Sequence, residues 1–484
     1  MAQITIPGVY VEEVPPRGAP LKGAAYGAVG FVGKFSKGDV NTPVLCSSMN
    51  EVYDAYGSLV IGSSTLEHLY WLFKQKPSRV WICRVEGTAS TVTIKDADVS
   101  PADRIKVDAS VDGVWADYVV GPPKMGIEIV TSAGILTGTF KFTVNYHYTH
   151  QGVAKTYTET FNNLSIDKTA VRYFPTVINA GSRIVKVADL NDTGIKLPGY
   201  VTSPLAGGVD PNYEGTGVDK EGFDVLDTVD EISFYSCDDS ASATHSIMID
   251  HALACGDRTV LLDAPIYATL AAIKALGDAI DEERATFPGL WQKAYDPIMK
   301  VERSFPSSAF YAGLKSRIMP PQSPCNKKVY GSLGTERELS DADIWSLEQS
   351  KVSPITRWGN RGIRPRNGQT CSSNPNLNQQ FRRYMCDWVM ETIEENFGWA
   401  VSELHTPELR IALKESIGKW AEDLKGTQWI EDYSVTCDET NNPPSVREAR
   451  KLYCDIAIRL FSVADYIIFR VLVSETAVIV SQAA

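Results

Sequence analysis

The sequence predicts an α+β multidomain protein: a central α/β domain, an inserted all-β domain, and a C-terminal α/β module of two helices on strands. Three observations predict it. Residues 376–473 switch from a helical to an alternating apolar period. Residues 24–88 and 206–320 mix short apolar strands with helical patterns. Between them, residues 90–205 are rich in Thr, Val, Gly and Tyr and carry strand patterns.

The C-terminal stretch is the clearest. Leu377, Phe381, Tyr384, Trp388, Val389, Ile393 and Phe397 form one stripe at helical spacing, with Gly398 as its C′ residue. Thr406 and Pro407 supply an N-cap and a first-turn proline. Leu409, Leu413, Ile417, Trp420 and Leu424 form the next stripe, closed by Gly426. Then Leu452, Cys454, Ile456, Ile458 and Leu460 alternate with Tyr453, Asp455, Ala457 and Arg459, a strand with one buried face. Residues 466–471 read as a further strand. Too few strands lie nearby to complete a sheet, so the missing ones come from elsewhere.

Taken in order, residues 1–22 form an N-terminal arm. Ile4, Ile6, Val9 and Val11 are strand-like, and Pro15-Pro16 ends the strand at once. Residues 23–89 are the first part of the α/β domain, read as strand, two helices and strand. Residues 90–205 are the inserted β domain; Phe140, Phe142, Val144, Tyr146 and Tyr148 alternate with polar residues as a half-exposed antiparallel strand. Residues 206–350 are the second part of the α/β domain, with helices over 241–255 and 268–284, a buried strand over 259–263, and a turn-rich passage from Asp296-Pro297. Residues 322–375 read as irregular. Residues 351–463 hold the C-terminal core module. Residues 464–484 are a C-terminal arm whose strand carries Tyr466, Ile468, Phe469 and Val471. Neither arm has a strand partner adjacent in sequence. Each pairs either at home with the C-terminal sheet or on a neighbour's sheet edge.

Composition narrows the function. Among 484 residues, 47 are Lys or Arg and 59 are Asp or Glu, a net charge of -12, which argues against a nucleic-acid footprint. No apolar run reaches the length of a membrane span; residues 463–480 come nearest and are broken by Asp465, Arg470 and Glu475. The chain opens without a secretory signal pattern. Nine cysteines include no CxxC pair. They read either as free thiols of a reducing cytoplasm or as bridges that close after assembly.

Enzyme signatures are weak. Asp263, His251 and Ser246 or Ser307 are the groups available for a hydrolase triad, but no GxSxG elbow is present. HExxH and GxxxxGK are absent, and Gly27, Gly30 and Gly33 lack dinucleotide spacing. Cys386 or Cys437 with His405 is a second nucleophile pairing, although Cys386 lies within the amphipathic helix and reads as packing. His147 and His150 read as solvent-facing rather than as a metal pair. No catalytic residue, metal or cofactor is expected. An adhesin using the β insertion is the remaining alternative.

The order of several short motifs resembles the contractile tail sheath family of phages and related injection machines. They are Pro7-Gly8-Val9-Tyr10-Val11-Glu12-Glu13, Gly30-Phe31-Val32-Gly33, Leu205-Ala206-Gly207-Gly208-Val209-Asp210, Trp358-Gly359 with Arg361, Cys437-Asp438-Glu439-Thr440-Asn441-Asn442, and Ala464-Asp465-Tyr466-Ile467-Ile468-Phe469-Arg470. The resemblance covers most of the chain outside the β insertion. It implies a tail-sheath fold with a subtilisin-like central domain lacking catalytic groups. It implies a structural subunit that stacks as hexameric rings in a helix around an inner tail tube, and that contracts to drive the tube through a target envelope. It implies tail tube, baseplate and tail terminator proteins as partners, no direct nucleic acid, no membrane insertion, assembly in a host cytoplasm and residence in the virion tail. It implies strand exchange through Ile4, Ile6, Val9, Val11, Tyr466, Ile468, Phe469 and Val471. Arg410, Lys414 and Lys425 share one flank of the second C-terminal helix, facing either an acidic tube or solvent beside Glu415 and Glu422.

Overall fold

The computed structural model describes residues 21–60, 64–150, 153–190, 196–215, 220–465, 467–473 and 478–482. Ile4, Ile6, Val9, Val11 and Tyr466 lie outside the described residues. The chain divides into two compact units, Ala25–Asp387 and Trp388–Ala484, the second also taking residues 21–24.

The larger unit is organised by a six-stranded sheet in the order Ala285–Gly289, Thr259–Asp263, Ile232–Cys237, Ala28–Lys34, Arg79–Val85, Val44–Cys46. Neighbours are parallel except the last pair. Ala28–Lys34 and Ile232–Cys237 pair directly, so the segments before and after residues 90–205 share one sheet. Both faces are covered, which is why these strands read as continuous apolar runs. Val29, Phe31, Val80, Ile82, Phe234 and Leu261 enter one core. Val32, Cys83, Val85, Tyr235, Val260 and Leu262 enter the other. Gly27 turns the chain into the first strand at φ +81, and an added Cβ there would lie 2.3 Å from the Ser316 carbonyl oxygen.

Several elements depart from the sequence reading. The helix expected over 268–284 is Leu270–Ala279, and Ala285–Gly289 is a strand. Pro288 is tolerated there because the strand sits at the sheet edge. The passage read as turn-rich contains the helix Ser307–Arg317, buried from Ser307 through Ser316. A helix enclosed on all sides has no polar face, so it shows no stripe. Residues 322–375 contain the helix Asp341–Gln349, opened by a reciprocal cap between Ser340 and Asp343.

Residues 91–204 form a three-stranded and a four-stranded antiparallel sheet around a shared core that includes Ile105, Ile127, Phe140 and Phe142. The segment is not all-β. The helix Phe174–Gly181 packs into that core through Phe174 and Ile178. Its eight residues are too short for a repeating stripe.

In the smaller unit the helix Pro407–Gly426 is capped as read: the Leu409 amide donates to the Thr406 hydroxyl at 3.2 Å, and Pro407 occupies the first turn. Gly426 remains helical, and the Thr427 hydroxyl donates to the Asp423 carbonyl at 3.0 Å. Gly398 begins a short 3-10 turn rather than a left-handed cap. Trp388 packs against Trp420 and Trp429, with ring centroids 5.6 and 5.0 Å apart. Asp432–Thr436 pairs antiparallel with Asp455–Arg459. The closing strand does have an adjacent partner: Phe469–Val473 pairs with Val478–Gln482 in a hairpin.

Candidate functional site

The groups weighed for a hydrolase triad go to separate places. The His251 ring faces Asp227 at 2.7 Å. The Ser246 hydroxyl donates to the Ser242 carbonyl of its own helix. The Ser307 hydroxyl donates to the Leu290 carbonyl. Asp263 instead meets Ser308, whose amide donates to the carboxyl at 2.9 Å and whose hydroxyl also donates to it. His68 Nε2 lies 2.8 Å from the Ser236 hydroxyl and 3.5 Å from that of Ser308. Sequence reasoning missed this Asp263–Ser308–His68 set because Ser308 opens the helix that carries no stripe.

These three side chains are buried at a strand end and on two helices packed on the sheet. Burial pushes the Asp263 carboxyl up to about 7 and His68 down to about 3. The Ser308 hydroxyl donates to the Asp263 carboxyl rather than to His68, and all three side chains are buried. The arrangement is a buried core network, in which His68 Nε2 is engaged and His68 Nδ1 has no hydrogen-bond partner. Beside it Arg303 lies 2.6 Å from Glu67 and 2.5 Å from Asp296, an ion triad that closes the same region.

Asp227, His251 and Cys255 bring an oxygen, a nitrogen and a sulfur within 4.8 Å of one another. The carboxylate already serves both neighbours, accepting from the Cys255 thiol at 3.4 Å. His147 is half-buried, not solvent-facing; it meets Thr156 at 2.9 Å and Glu128 at 3.7 Å. The His150 side chain lies outside the described ones. Cys437 takes a hydrogen bond from Cys454, and among the described residues no bond joins it to His405.

The basic flank of the second C-terminal helix is not continuous. Arg410 is 3% exposed and lies 3.6 Å from Glu439. Its position follows the apolar stripe of Leu413 and Ile417, so the long side chain packs inward. Lys414 is exposed, and Lys425 pairs with Asp432 at 3.0 Å. Ile468 and Phe469 are largely exposed. At the other end of the chain, the Trp388 indole donates to the Ala24 carbonyl at 3.0 Å. The Ala24 amide donates to Thr392 at 3.0 Å, and Asn396 bonds both the amide and the carbonyl of Lys22. The exits of both arms therefore belong to one unit.

A family model described as the phage tail sheath C-terminal domain matches residues 372–474, the two-helix module and its strands. A tail sheath protein of Enterobacteria phage T4 is 24% identical over 302 residues, 54% of this chain and 45% of the relative. A putative prophage major tail sheath protein of Pseudomonas aeruginosa (strain UCBPP-PA14) is 28% identical over 204 residues, 39% of this chain and 50% of the relative. These matches make the chain similar to tail sheath proteins, and over residues 372–474 it matches their C-terminal domain.

The chain spans about half the length of these curated sheath relatives. Solved sheath structures share the fold more widely. The helical sheath of the anti-feeding prophage in its contracted state superposes with a TM-score of 0.58 at 12% identity, covering 96% of this chain and 98% of that one. The contracted sheath complex of the extracellular injection system PVC gives a TM-score of 0.58 at 11% identity, covering 98% and 99%. This mixed α/β architecture is thus that of sheath proteins, and the segment the sequence signals best is the one the family model matches.

Proposed function

We propose that this chain is the structural subunit of a contractile tail sheath. The observation that carries the reading is the family match over residues 372–474, most of which lies in the unit that also holds the exits of both arms. In this reading copies stack as hexameric rings in a helical sleeve around an inner tail tube. The arms exchange strands between neighbours through Ile4, Ile6, Val9 and Val11 at one end and Tyr466, Ile468, Phe469 and Val471 at the other. A head-to-tail contact that does not close generates such a helix, and donated strands hold subunits together while their bodies rotate. Contraction requires a metastable extended state above a contracted one. The sleeve shortens and drives the tube through a target envelope, with baseplate and terminator proteins capping its ends. The particle assembles in a host cytoplasm and the subunit stays in the tail. Among the described residues no helix is long and apolar enough to cross a membrane.

The central domain is read as subtilisin-like in topology, supported by its parallel sheet covered on both faces. Its buried Ser308 gives the hydrolase alternative no support, and nothing favours an adhesin role for residues 90–205. Electron microscopy of the purified chain tests the proposal. Tubes or stacked rings are expected; dispersed monomers at high concentration with added tube protein would overturn it.

A further inference from the structure

The strands Asp432–Thr436 and Asp455–Arg459 pair antiparallel from Asp432↔Arg459 to Thr436↔Asp455. One further step of that register sets Cys437 opposite Cys454. Antiparallel partners directly opposed have Cα atoms about 4.5–5.5 Å apart, within the span a disulfide needs. The Cys454 thiol already hydrogen-bonds the Cys437 sulfur. The frame around the pair is held from both sides. Below it runs the ladder. Above it the buried Asn442 side chain bonds the amide and the carbonyl of Tyr453, each at 2.8 Å, and Asn441 reaches the Thr436 carbonyl at 2.7 Å and Asp455 at 2.9 Å. Neither strand can slide away from the other without breaking these bonds.

We propose that Cys437 and Cys454 form a redox-active dithiol that closes to an intrachain disulfide when the chain meets a small-molecule disulfide oxidant. The inference stands on the hairpin alone and not on the sheath reading. The hydrogen bond from Cys454 and the charges of Arg410 and Lys414 hold the Cys437 thiol below its usual range, against the effect of burial. Cys437 therefore gives up the first proton of the pair, while the hydrogen bond to Cys437 and burial hold the Cys454 thiol protonated. The Cys437 thiolate attacks one sulfur of the oxidant, forming a mixed disulfide and releasing one small thiolate. The Cys454 thiol passes its proton to that thiolate, and its sulfur attacks Cys437 Sγ and expels the second small thiolate, which takes up the proton that Cys437 first gave up. Two protein thiols and one small disulfide become one bridge and two small thiols. The bridge ties off residues 438–453, so the hairpin stays shut when the rest of the unit is strained.

The full-length chain is equilibrated in mixtures of oxidised and reduced glutathione, alkylated and digested with trypsin without reductant. Tryptic peptides 426–447 and 452–459 are expected to appear joined, losing two hydrogens, while the protein runs as a monomer on a non-reducing gel. Cys454→Ser should abolish the joined peptide and leave Cys437 alkylated or as the mixed disulfide, and oxidation should shift the thermal midpoint of the wild type upward but not that of the variant. Full alkylation of both thiols in excess oxidised glutathione would overturn the proposal. So would joined peptides linking either cysteine to another chain. The wild-type digest decides the matter even where the variant folds poorly.

Discussion

The Arg284 guanidinium and the Asp387 carboxylate lie 3.1 Å apart, both buried. Asp387 also holds Arg383, one turn earlier, at 2.7 Å. Arg284 in turn donates to the Arg258 and Gly256 carbonyls, which lie around the start of the strand Thr259–Asp263. The carboxylate thus fixes an arginine that ties down the edge of the main sheet. Asp387→Ala leaves Arg284 buried without a counter-charge, which costs about 3–5 kcal/mol. Urea denaturation of the full chain is expected to show that loss. A double variant with Arg284→Met should recover part of it, because the uncompensated charge is gone.

Lys315 supplies a pH dependence of known sign. It is 2% exposed, and its ammonium sits 4.5 Å from the Phe234 ring centroid and 5.6 Å from that of Tyr384. Burial pulls its pKa down from 10.5 to about 7, partly offset by Asp387. The unfolded chain therefore binds this proton more tightly than the folded one. Stability from this group is greatest above the unfolded value and is lost as pH falls from about 10.5 to about 7. Lys315→Met removes the burden and should stabilise the protein near neutral pH by roughly 1–4 kcal/mol. Melting curves across pH 7 to 10 should rise for the wild type relative to the variant; parallel curves would show that Lys315 keeps its proton.

How much was legible depended on which side of an element meets water. The helices Gln380–Phe397 and Pro407–Gly426 each bury one face, so Trp388 and Trp420 announced themselves by spacing. Ser307–Arg317 is enclosed, so neither the helix nor Ser308 at its start was visible, and Asp263 was matched to the wrong serine. Helix angle puts Arg410 on the flank of Lys414 but does not say where the apolar boundary falls, and in the folded chain the side chain is buried. The Cys437–Cys454 pairing needs the register of two strands, which sequence alternation sets only to within a slip.

Arg410 and Lys414 now make distinct predictions. Lys414 is exposed, so Lys414→Gln should leave stability within about 0.5 kcal/mol of the wild type. If this flank meets an acidic tube, the same change weakens assembly on the tube, and more so at low salt. Arg410→Gln removes a buried charge beside Glu439 and should lower the melting temperature instead. Sedimentation of sheath assembled on tube protein at several salt concentrations separates the two. Assembly of the Lys414 variant that matches the wild type at every salt concentration would remove this flank from the tube interface.

The proposed strand exchange makes the N-terminal arm a linker rather than a part of the fold. The arm leaves from Lys22 and Ala24, which are bonded to the helix Gln380–Phe397 through Asn396, Thr392 and Trp388. That anchor lies downstream of residues 1–16, so removing them leaves it intact. In this reading Ile4, Ile6, Val9 and Val11 add a strand to a neighbour's sheet edge, which would bury their apolar side chains there. The two units have their own cores. Deleting residues 1–16 should therefore give a cooperatively melting monomer, with a midpoint close to that of the full chain, that forms no tubes in electron micrographs. Regular sheaths from the truncated chain would refute the linker role. A truncated chain that fails to fold would show that the strand pairs within its own subunit, and strand exchange would then rest on residues 464–484 alone.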